Sequence, residues 1–229
     1  RSTTLGQSIA MKQAQSEQIA TTLAELATPC LVLDAERMER NIARLKARLD
    51  RLGVTLRPHL KTSKCVDVAR RVMPSPTGPA TVSTLLEAEQ FAAAGVRDII
   101  YTVGITPAKL PQVLALRTGG ADVSVVLDTV EQAQAVAQAS RQAGTRIPAL
   151  IEIDCDGHRS GVLPTDRQLL VAIGNALHDD AELRGVITHA GASYLVRGTG
   201  SLRRCAEVER RSVVDAATLL REAELPCPV

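Results

Sequence analysis

The chain has 229 residues, of which 45% are apolar, so it can form one large domain with a substantial core. Its 27 basic and 25 acidic residues give a formal net charge of +2, and aromatic residues make up 1% of the chain. Without a concentrated cationic face or aromatic platforms for base stacking, nucleic-acid binding is not expected.

Membrane association is not expected either, because no apolar run approaches the roughly 18 residues of a membrane-spanning helix. The five cysteines are scattered without a Cys-x-x-Cys pair, and no secretory signal peptide is expected in front of them. This pattern is typical of reduced thiols in a cytoplasmic protein. Cys155 and His158 have metal-like spacing but no second pair of ligands, so no metal site is predicted within the chain.

Residues 1–27 are expected to form an N-terminal extension, and residues 28–229 a single α/β domain. In this domain short apolar segments alternate with amphipathic ones, which predicts strands alternating with helices. The seven predicted strands are 29–33, 55–61, 81–84, 98–103, 122–127, 148–154 and 183–190. The seven predicted helices are 35–52, one ending at 72, 85–94, 107–117, 129–143, 166–178 and 201–223.

An open doubly wound sheet and a closed (β/α)8 TIM barrel are the two candidate architectures. No Gly-x-Gly-x-x-Gly follows the first predicted strand, and polar residues gather after strands two, six and seven instead of at one switch point. Both features favour the barrel. The segment 226–229 resembles the approach to an eighth strand, so we expect the closing strand beyond Val229.

The end of the second predicted strand carries three cationic side chains, Arg57, His59 and Lys61, at alternate positions. Successive side chains of a strand point to opposite faces, so these three share one face, and Pro58 and Leu60 share the other. Neighbouring cations disfavour the ammonium form of a lysine and make its neutral amine available as a nucleophile. This arrangement predicts Schiff-base chemistry at Lys61.

Lys61 is favoured over Lys64 because the alternation and the strand end both point to it. In a barrel the C-terminal ends of the strands form the active site. Arg159 follows the sixth predicted strand, and His189 and Tyr194 follow the seventh, so we expect all three at the rim that carries Lys61. An ion pair with a nearby aspartate is the structural alternative for Arg159, and a place in the core is the alternative for His189.

Four segments in order support a family resemblance: RPHLKTSK at 57–64, TVSTLLEAE at 81–89, IEIDCDGHRSGV at 151–162 and THAGASY at 188–194. Together they resemble the fold-type III pyridoxal-phosphate enzymes of the D-serine dehydratase and D-threonine aldolase family. The resemblance covers residues 28–229 and implies a pyridoxal-phosphate-binding barrel of the alanine-racemase N-terminal type. It also implies a following β domain and a homodimer.

The resemblance assigns roles to five residues. It implies that Lys61 forms the Schiff base with pyridoxal 5'-phosphate and takes the Cα proton of the substrate. It implies further that Arg159 faces the phenolic oxygen of the cofactor, that His189 lies against the pyridine ring and that Tyr194 approaches the ring nitrogen. His59 is expected near the Schiff base.

The implied activity is that of a dehydratase, a carbon–oxygen lyase, acting on D-β-hydroxy amino acids such as D-threo-3-hydroxyaspartate or D-serine. The alternatives are an aldolase for D-threonine or 3-hydroxy-D-aspartate, a non-catalytic pyridoxal-phosphate carrier, and a sugar-phosphate barrel enzyme without this cofactor. The resemblance also implies a divalent metal such as zinc or manganese. The metal ligands and the phosphate-binding loop are expected beyond Val229.

Overall fold

A computed structural model describes residues 22–228 of the chain. The chain divides into two compact units, Arg1–Asn41 and Ile42–Val229, and the division falls inside helix α1 (Ala35–Leu52). The expected N-terminal extension lies outside the described residues as far as residue 21. Its boundary after residue 27 stays a prediction.

In the first unit, the predicted strand at 29–33 was wrong. These residues form no strand, and Leu31, Val32 and Leu33 are 104%, 63% and 60% exposed. A short 3-10 helix, Leu23–Glu25, precedes them. A strand is stabilised by hydrogen bonds to a neighbouring strand, and in the described part of the chain residues 29–33 have no such neighbour. The apolar character of residues 29–33 was therefore not sufficient evidence for a strand.

The second unit contains a parallel sheet flanked by helices. Its strands are β1 (Ala80–Val82), β2 (Asp98–Tyr101), β3 (Asp122–Leu127), β4 (Pro148–Ile153) and β5 (Glu182–Thr188). Its further helices are α2 (Val66–Val72), α3 (Leu85–Ala93), α4 (Leu110–Thr118), α5 (Val130–Ala143), α6 (Arg167–His178) and α7 (Thr199–Glu222). Two 3-10 helices, Pro107–Lys109 and Gly191–Tyr194, lie between these elements.

The strand order supports the barrel. The five strands of the described residues pair in parallel in the order β1-β2-β3-β4-β5, and a helix joins each to the next. A doubly wound sheet reverses its strand order at a switch point, whereas a (β/α)8 barrel adds each strand beside the one before. The structure is therefore α/β with part of a TIM barrel, and all seven predicted helices are present.

The second predicted strand, 55–61, is reduced to one bridge. His59 pairs with Thr81 in parallel, and Leu60 donates its N–H to the Thr81 carbonyl at 2.9 Å. The turn that follows ends the pairing, because the Lys64 N–H donates back to the Leu60 carbonyl at 2.9 Å. The predicted alternation nevertheless holds at this point: Leu60 is 1% exposed in the core between sheet and helices, and His59 points away from that core.

Local sequence explains where the helices begin. Thr84 accepts the Glu87 N–H at 3.0 Å at the start of α3, and Thr129 accepts the Gln132 N–H at 3.2 Å at the start of α5. At the end of α5, Gly144 has φ of 61°, a left-handed conformation that glycine adopts without steric cost. Thr84 and Thr129 thus mark where the loops after β1 and β3 end, and Gly144 marks where α5 ends.

The sheet is covered by apolar side chains on its outer face, and its inner face carries both apolar and polar side chains. The outer face packs under the helices. On the inner face, Ile100, Val126 and Leu150 form a separate cluster with Ile187 packed against it. Among residues 22–228, no helix combines the length and apolar character needed to cross a membrane.

Ion pairs join the N-terminal ends of the strands. Arg57 binds Asp98, the first residue of β2, through two hydrogen bonds of 2.7 and 2.8 Å. The charge of Arg57 is thereby compensated, and its side chain does not line the cavity that contains Lys61. The prediction that Arg57 is one of two cations activating Lys61 is therefore wrong, because a long-range partner that the local sequence does not reveal takes its guanidinium.

A second ion-pair group centres on Asp122, the first residue of β3. Its carboxylate accepts hydrogen bonds from Arg184 at 2.8 Å and from Arg117 at 2.7 Å, and Arg184 also binds Glu182 and Ser124. Burial favours the neutral acid, but the hydrogen bonds and charges of the two arginines outweigh it and hold the pKa of Asp122 below its usual value. The carboxylate is therefore stabilised in its ionised form.

Replacing Asp122 with Asn should lower the free energy of unfolding near neutral pH by about 1 kcal/mol, since the ion pairs are partly solvated. Because the folded pKa lies below the usual 3.8, the stabilisation is complete above that value and is lost as the pH falls through the folded pKa. Urea unfolding as a function of pH checks this, with the exposed Asp50→Asn as control. An acid-range slope in Asp122→Asn equal to that of the parent would contradict it.

Candidate active site

A cavity of 390 Å³ opens at the C-terminal ends of the strands. Its lining residues come from the strand ends and from the loops that follow: His59, Lys61, Thr81, Ser83, Thr102, Val103, Val126, Glu152, Arg159, Ser160, Ile187, Thr188 and His189. Three other hollows, of 460, 480 and 520 Å³, are larger, but none is lined by more than two charged side chains and none contains a histidine. Convergent ionisable groups therefore locate the site better than size does.

Parallel pairing explains why these side chains meet. Ser83 follows β1, Thr102 follows β2, Glu152 lies near the end of β4 and His189 follows β5. The C-terminal ends of parallel strands lie at one edge of the sheet, and every second side chain points to the inner face. Lys61, two residues beyond the His59 bridge, reaches the same cavity.

His59 is held by hydrogen bonds on both ring nitrogens. Its Nδ1 accepts the backbone N–H of Lys61 at 3.3 Å, and its Nε2 lies 3.3 Å from both Ser83 Oγ and Thr102 Oγ1. The Thr102 hydroxyl donates to the Val82 carbonyl at 3.1 Å, so Thr102 Oγ1 is left to accept from the ring. The hydrogen-bond network thus assigns the tautomer with the proton on Nε2.

The electrostatic surroundings also keep this ring neutral. Burial lowers the pKa of His59, and the positive charge of Lys61 lowers it further. The carboxylate of Glu87 acts in the opposite direction but does not reverse the effect. A neutral imidazole is the form that can accept the Lys61 N–H and donate from Nε2 at the same time.

The two candidate lysines have different surroundings. Lys61 lines the cavity, whereas Lys64 is absent from the lining and its Nζ lies 3.2 Å from Glu87 Oε1. Lys64 also has φ of 45°, which non-glycine residues seldom adopt. The structure therefore places Lys61, and not Lys64, among the groups a ligand would meet.

The loop 154–161 carries Arg159 and closes back on β4. Asp154 Oδ1 accepts the Gly157 N–H at 2.8 Å, and the Gly161 N–H donates to Asp128 Oδ2 at 3.0 Å. At Gly161, φ is 127° and a Cβ atom would collide with the backbone of Asp154, so this position requires glycine. These contacts fix both ends of the loop.

Asp156 connects this loop to the turn after β5. Its Oδ1 accepts the His158 N–H at 3.1 Å and its Oδ2 accepts the Ala192 N–H at 2.8 Å. Asp154 and Asp156 are thus occupied by backbone amides, and neither forms an ion pair with Arg159. The structural alternative considered for Arg159 is not what the structure shows.

Arg159 lies against the 3-10 helix Gly191–Tyr194. A Cβ atom on Gly191 would lie 3.0 Å from His158 Cβ and 3.1 Å from Arg159 Nε, so the absence of a side chain there makes room for both residues. The Cζ of Arg159 lies 5.8 Å from the centre of the Tyr194 ring, a cation–π distance. The Tyr194 hydroxyl lies 3.5 Å from His189 Nε2.

The structure brings four of the five predicted site residues, His59, Lys61, Arg159 and His189, into one cavity lining. Tyr194 contacts Arg159 and His189 but does not line the cavity, and it is 60% exposed. His189 is itself exposed, so it is not a core histidine.

Sequence reasoning missed Ser83, Thr102 and Glu152. Strand alternation could have predicted them. Each lies near the end of a strand, two residues from a side chain that points to the inner face, so it points to that face as well. Burial raises the pKa of Glu152, and Asp128 and Asp154 raise it further, although Ser160 opposes this by donating a hydrogen bond of 2.9 Å to Glu152 Oε2. Glu152 is the acidic side chain of the cavity lining.

Comparison with known proteins identifies relatives of the chain. The chain is 52% identical over 209 residues to D-threo-3-hydroxyaspartate dehydratase of Delftia sp. strain HT23, covering 91% of this chain and 55% of that protein. It is 33% identical over 208 residues to D-threonine aldolase of an Arthrobacter species, covering 90% and 54%. The chain thus spans about half the length of the curated relatives it matches.

The solved structure of the Delftia dehydratase superposes with a TM-score of 0.88 at 52% identity, covering 91% of this chain and 55% of that one. A mutant of a D-threo-3-hydroxyaspartate dehydratase in its metal-free form gives a TM-score of 0.89 at 51% identity, covering 92% and 56%. The model of the alanine racemase N-terminal domain family matches residues 33–229. The chain belongs to the alanine racemase N-terminal domain family and is related to the D-threonine aldolases and D-serine dehydratases.

Proposed function

We propose that the protein is a pyridoxal-phosphate-dependent lyase that dehydrates D-β-hydroxy amino acids such as D-threo-3-hydroxyaspartate or D-serine. The observation that carries the proposal is the cavity in which Lys61, Arg159 and His189 converge at the C-terminal strand ends. The dehydratase choice is supported by the 52% identity to D-threo-3-hydroxyaspartate dehydratase.

The residues present fit pyridoxal 5'-phosphate. The cavity offers an amine at Lys61, a guanidinium at Arg159 and an imidazole at His189, which suit an aromatic aldehyde that carries negative charge. Gly191 leaves the space in which Arg159 lies, since a Cβ atom there would be 3.1 Å from its Nε. Lys61 would hold the cofactor through its ε-amine, and Arg159 would bind the phenolate oxygen.

When bound, the cofactor supplies an electron sink for the electron pair left after a Cα proton is removed. Lys61 would accept that proton, because its amine lies in the cavity where the substrate Cα must be bound. His189 would lie against the pyridine ring, and the Tyr194 hydroxyl, 3.5 Å from His189 Nε2, would approach the ring nitrogen. His59 would keep a neutral ring beside Lys61, which avoids a second charge near the amine.

Beyond these residues, we propose a divalent metal such as zinc or manganese, as the metal-free form of a mutant dehydratase suggests. Among residues 22–228, no group of three or more His, Cys, Asp or Glu side chains could hold such an ion. The proposed metal is therefore assigned no ligand among the described residues, and no step is assigned to it. We also propose that the protein is a cytoplasmic homodimer and that its barrel domain starts near residue 28.

An aldolase is the second candidate, and the 33% identity to D-threonine aldolase favours it. An aldolase deprotonates the β-hydroxyl and breaks the Cα–Cβ bond, whereas a dehydratase breaks the Cβ–O bond. A non-catalytic carrier of pyridoxal phosphate would bind the cofactor and leave D-hydroxy amino acids unchanged.

Borohydride reduction of the full-length protein with bound pyridoxal phosphate should attach the pyridoxyl group to Lys61. Peptide mapping locates the label, and Lys61→Arg should abolish it because the longer guanidinium is not nucleophilic. Lys46→Arg, which keeps the hydrogen bond to the Arg71 carbonyl, is the matched control and should label normally. Label on Lys64, or on no lysine, would overturn the assignment.

With D-threo-3-hydroxyaspartate, the full-length protein should release keto acid and ammonia in equal amounts, because loss of water is followed by hydrolysis of the product. Chromatography of the products decides between the candidates. Glycine and an aldehyde would instead establish the aldolase. Unchanged substrate, with the cofactor bound to Lys61, would establish the carrier.

Replacing Gly191 with Ala should weaken cofactor binding about tenfold, because the added methyl group crowds His158 and Arg159 and shifts the guanidinium, at a cost of roughly 1.4 kcal/mol of binding free energy. Titration of the apo-protein with pyridoxal phosphate, followed by visible absorbance, measures this. Gly200→Ala is the control, because its nearest neighbour would be 3.7 Å away. Equal affinities in both variants would contradict the role of Gly191 in placing Arg159 for cofactor binding.

A further inference from the structure

Glu87 is a buried carboxylate outside the cavity lining. It stands in the first turn of α3 and is 7% exposed. A buried charge is costly unless it is paired and hydrogen-bonded. Glu87 Oε2 accepts the Ser83 N–H at 2.8 Å, and Oε1 lies 3.2 Å from Lys64 Nζ. Burial alone would raise the pKa of Glu87, but these contacts outweigh it and hold that pKa below its usual value.

Lys64, the cationic partner of Glu87, belongs to the turn that contains Lys61. The turn is closed by the hydrogen bond from the Lys64 N–H to the Leu60 carbonyl at 2.9 Å. Lys64 adopts φ of 45°, a conformation that persists only where the surroundings stabilise it. Its amine is bound to Glu87, while the rest of its side chain is mostly exposed. The ion pair therefore links this turn to helix α3.

Ser83 connects Glu87 to His59. The Ser83 N–H is bound by Glu87, and Ser83 Oγ lies 3.3 Å from His59 Nε2. The opposite nitrogen of the same ring accepts the Lys61 N–H at 3.3 Å. The carboxylate of Glu87 is thus connected to Lys61 by two routes, one through Lys64 and the turn, and one through Ser83 and His59.

We propose that Glu87 and Lys64 are positioning residues for Lys61: one buried carboxylate fixes the turn and the His59 ring together, and so keeps the Lys61 amine directed into the cavity. This inference rests on the proposed function, because it assigns a purpose to the position of that amine. It also explains one acidic and one basic residue, Glu87 and Lys64, that the mechanism does not use directly.

The test follows the rate at which pyridoxal phosphate attaches to Lys61 in the full-length apo-protein, with borohydride quenching and peptide mapping. Glu87→Gln keeps an oxygen for the Ser83 N–H but loses the charge that binds Lys64, and Lys64→Met loses the same pair. Each should slow attachment about tenfold, because a displaced amine meets the cofactor in a less favourable geometry. Lys64→Arg, which can keep the pair, should restore most of the rate.

The double variant Glu87→Gln/Lys64→Met should be no slower than the slower single variant, because both changes break one interaction. Glu89→Gln, on the same helix and hydrogen-bonded to Gln112, is the control and should label at the parent rate. Melting temperatures separate this role from a structural one, since a merely structural role leaves the labelling rate unchanged wherever the variant is folded. If Glu87→Gln does not fold, Lys64→Met decides, because its side chain is largely exposed.

Parent-like labelling of Lys61 in both single variants, or additive losses in the double variant, would overturn the positioning role and leave the proposed function intact. Failure of Lys61 to label in the unsubstituted protein would instead remove the proposed function. The two failures are therefore distinguishable in one set of measurements.

Discussion

The sequential parallel pairing of β1 to β5 is the constraint on which the rest of the structure depends. It brings the C-terminal ends of all five strands to one edge, so inward side chains from distant parts of the chain line one cavity. The hydrogen bonds that fix this pairing also fix how far along the barrel axis each side chain lies. His59 lies outside any full strand, but its position along the barrel axis is set in the same way, because it forms a parallel bridge to Thr81.

Hydrogen bonds between loops fix the positions of the side chains that follow the strands. Asp156 binds the Ala192 amide, Asp128 binds the Gly161 amide, and Gly191 makes room for Arg159. In each case a carboxylate satisfies a backbone N–H or a missing side chain permits a close approach. The loops after β3, β4 and β5 are thereby held together, and the guanidinium of Arg159 is held beside Tyr194 without an ion pair to either neighbouring aspartate.

Charge is distributed differently at the two ends of the strands. At the N-terminal ends, the arginines are paired with Asp98 and Asp122, so their charges are compensated. In the cavity at the C-terminal ends, Lys61 and Arg159 face a lining whose acidic member, Glu152, has a raised pKa because it is buried. A cavity lined by two cations that form no ion pair among the described residues suits an anionic ligand, whereas the paired end contributes to stability.

The sequence by itself determined the helices, the parallel α/β class and the inward positions of His59 and Lys61, because these depend on local periodicity, capping residues and alternation. It also supplied the four ordered motifs that indicate the family. Only the tertiary structure decided that residues 29–33 form no strand, that Arg57 is bound to Asp98, that Lys64 is bound to Glu87, and that Ser83, Thr102 and Glu152 reach the cavity. Periodicity specifies which face a side chain occupies, but its partner across the sheet is set by how distant segments pack, which no local pattern encodes.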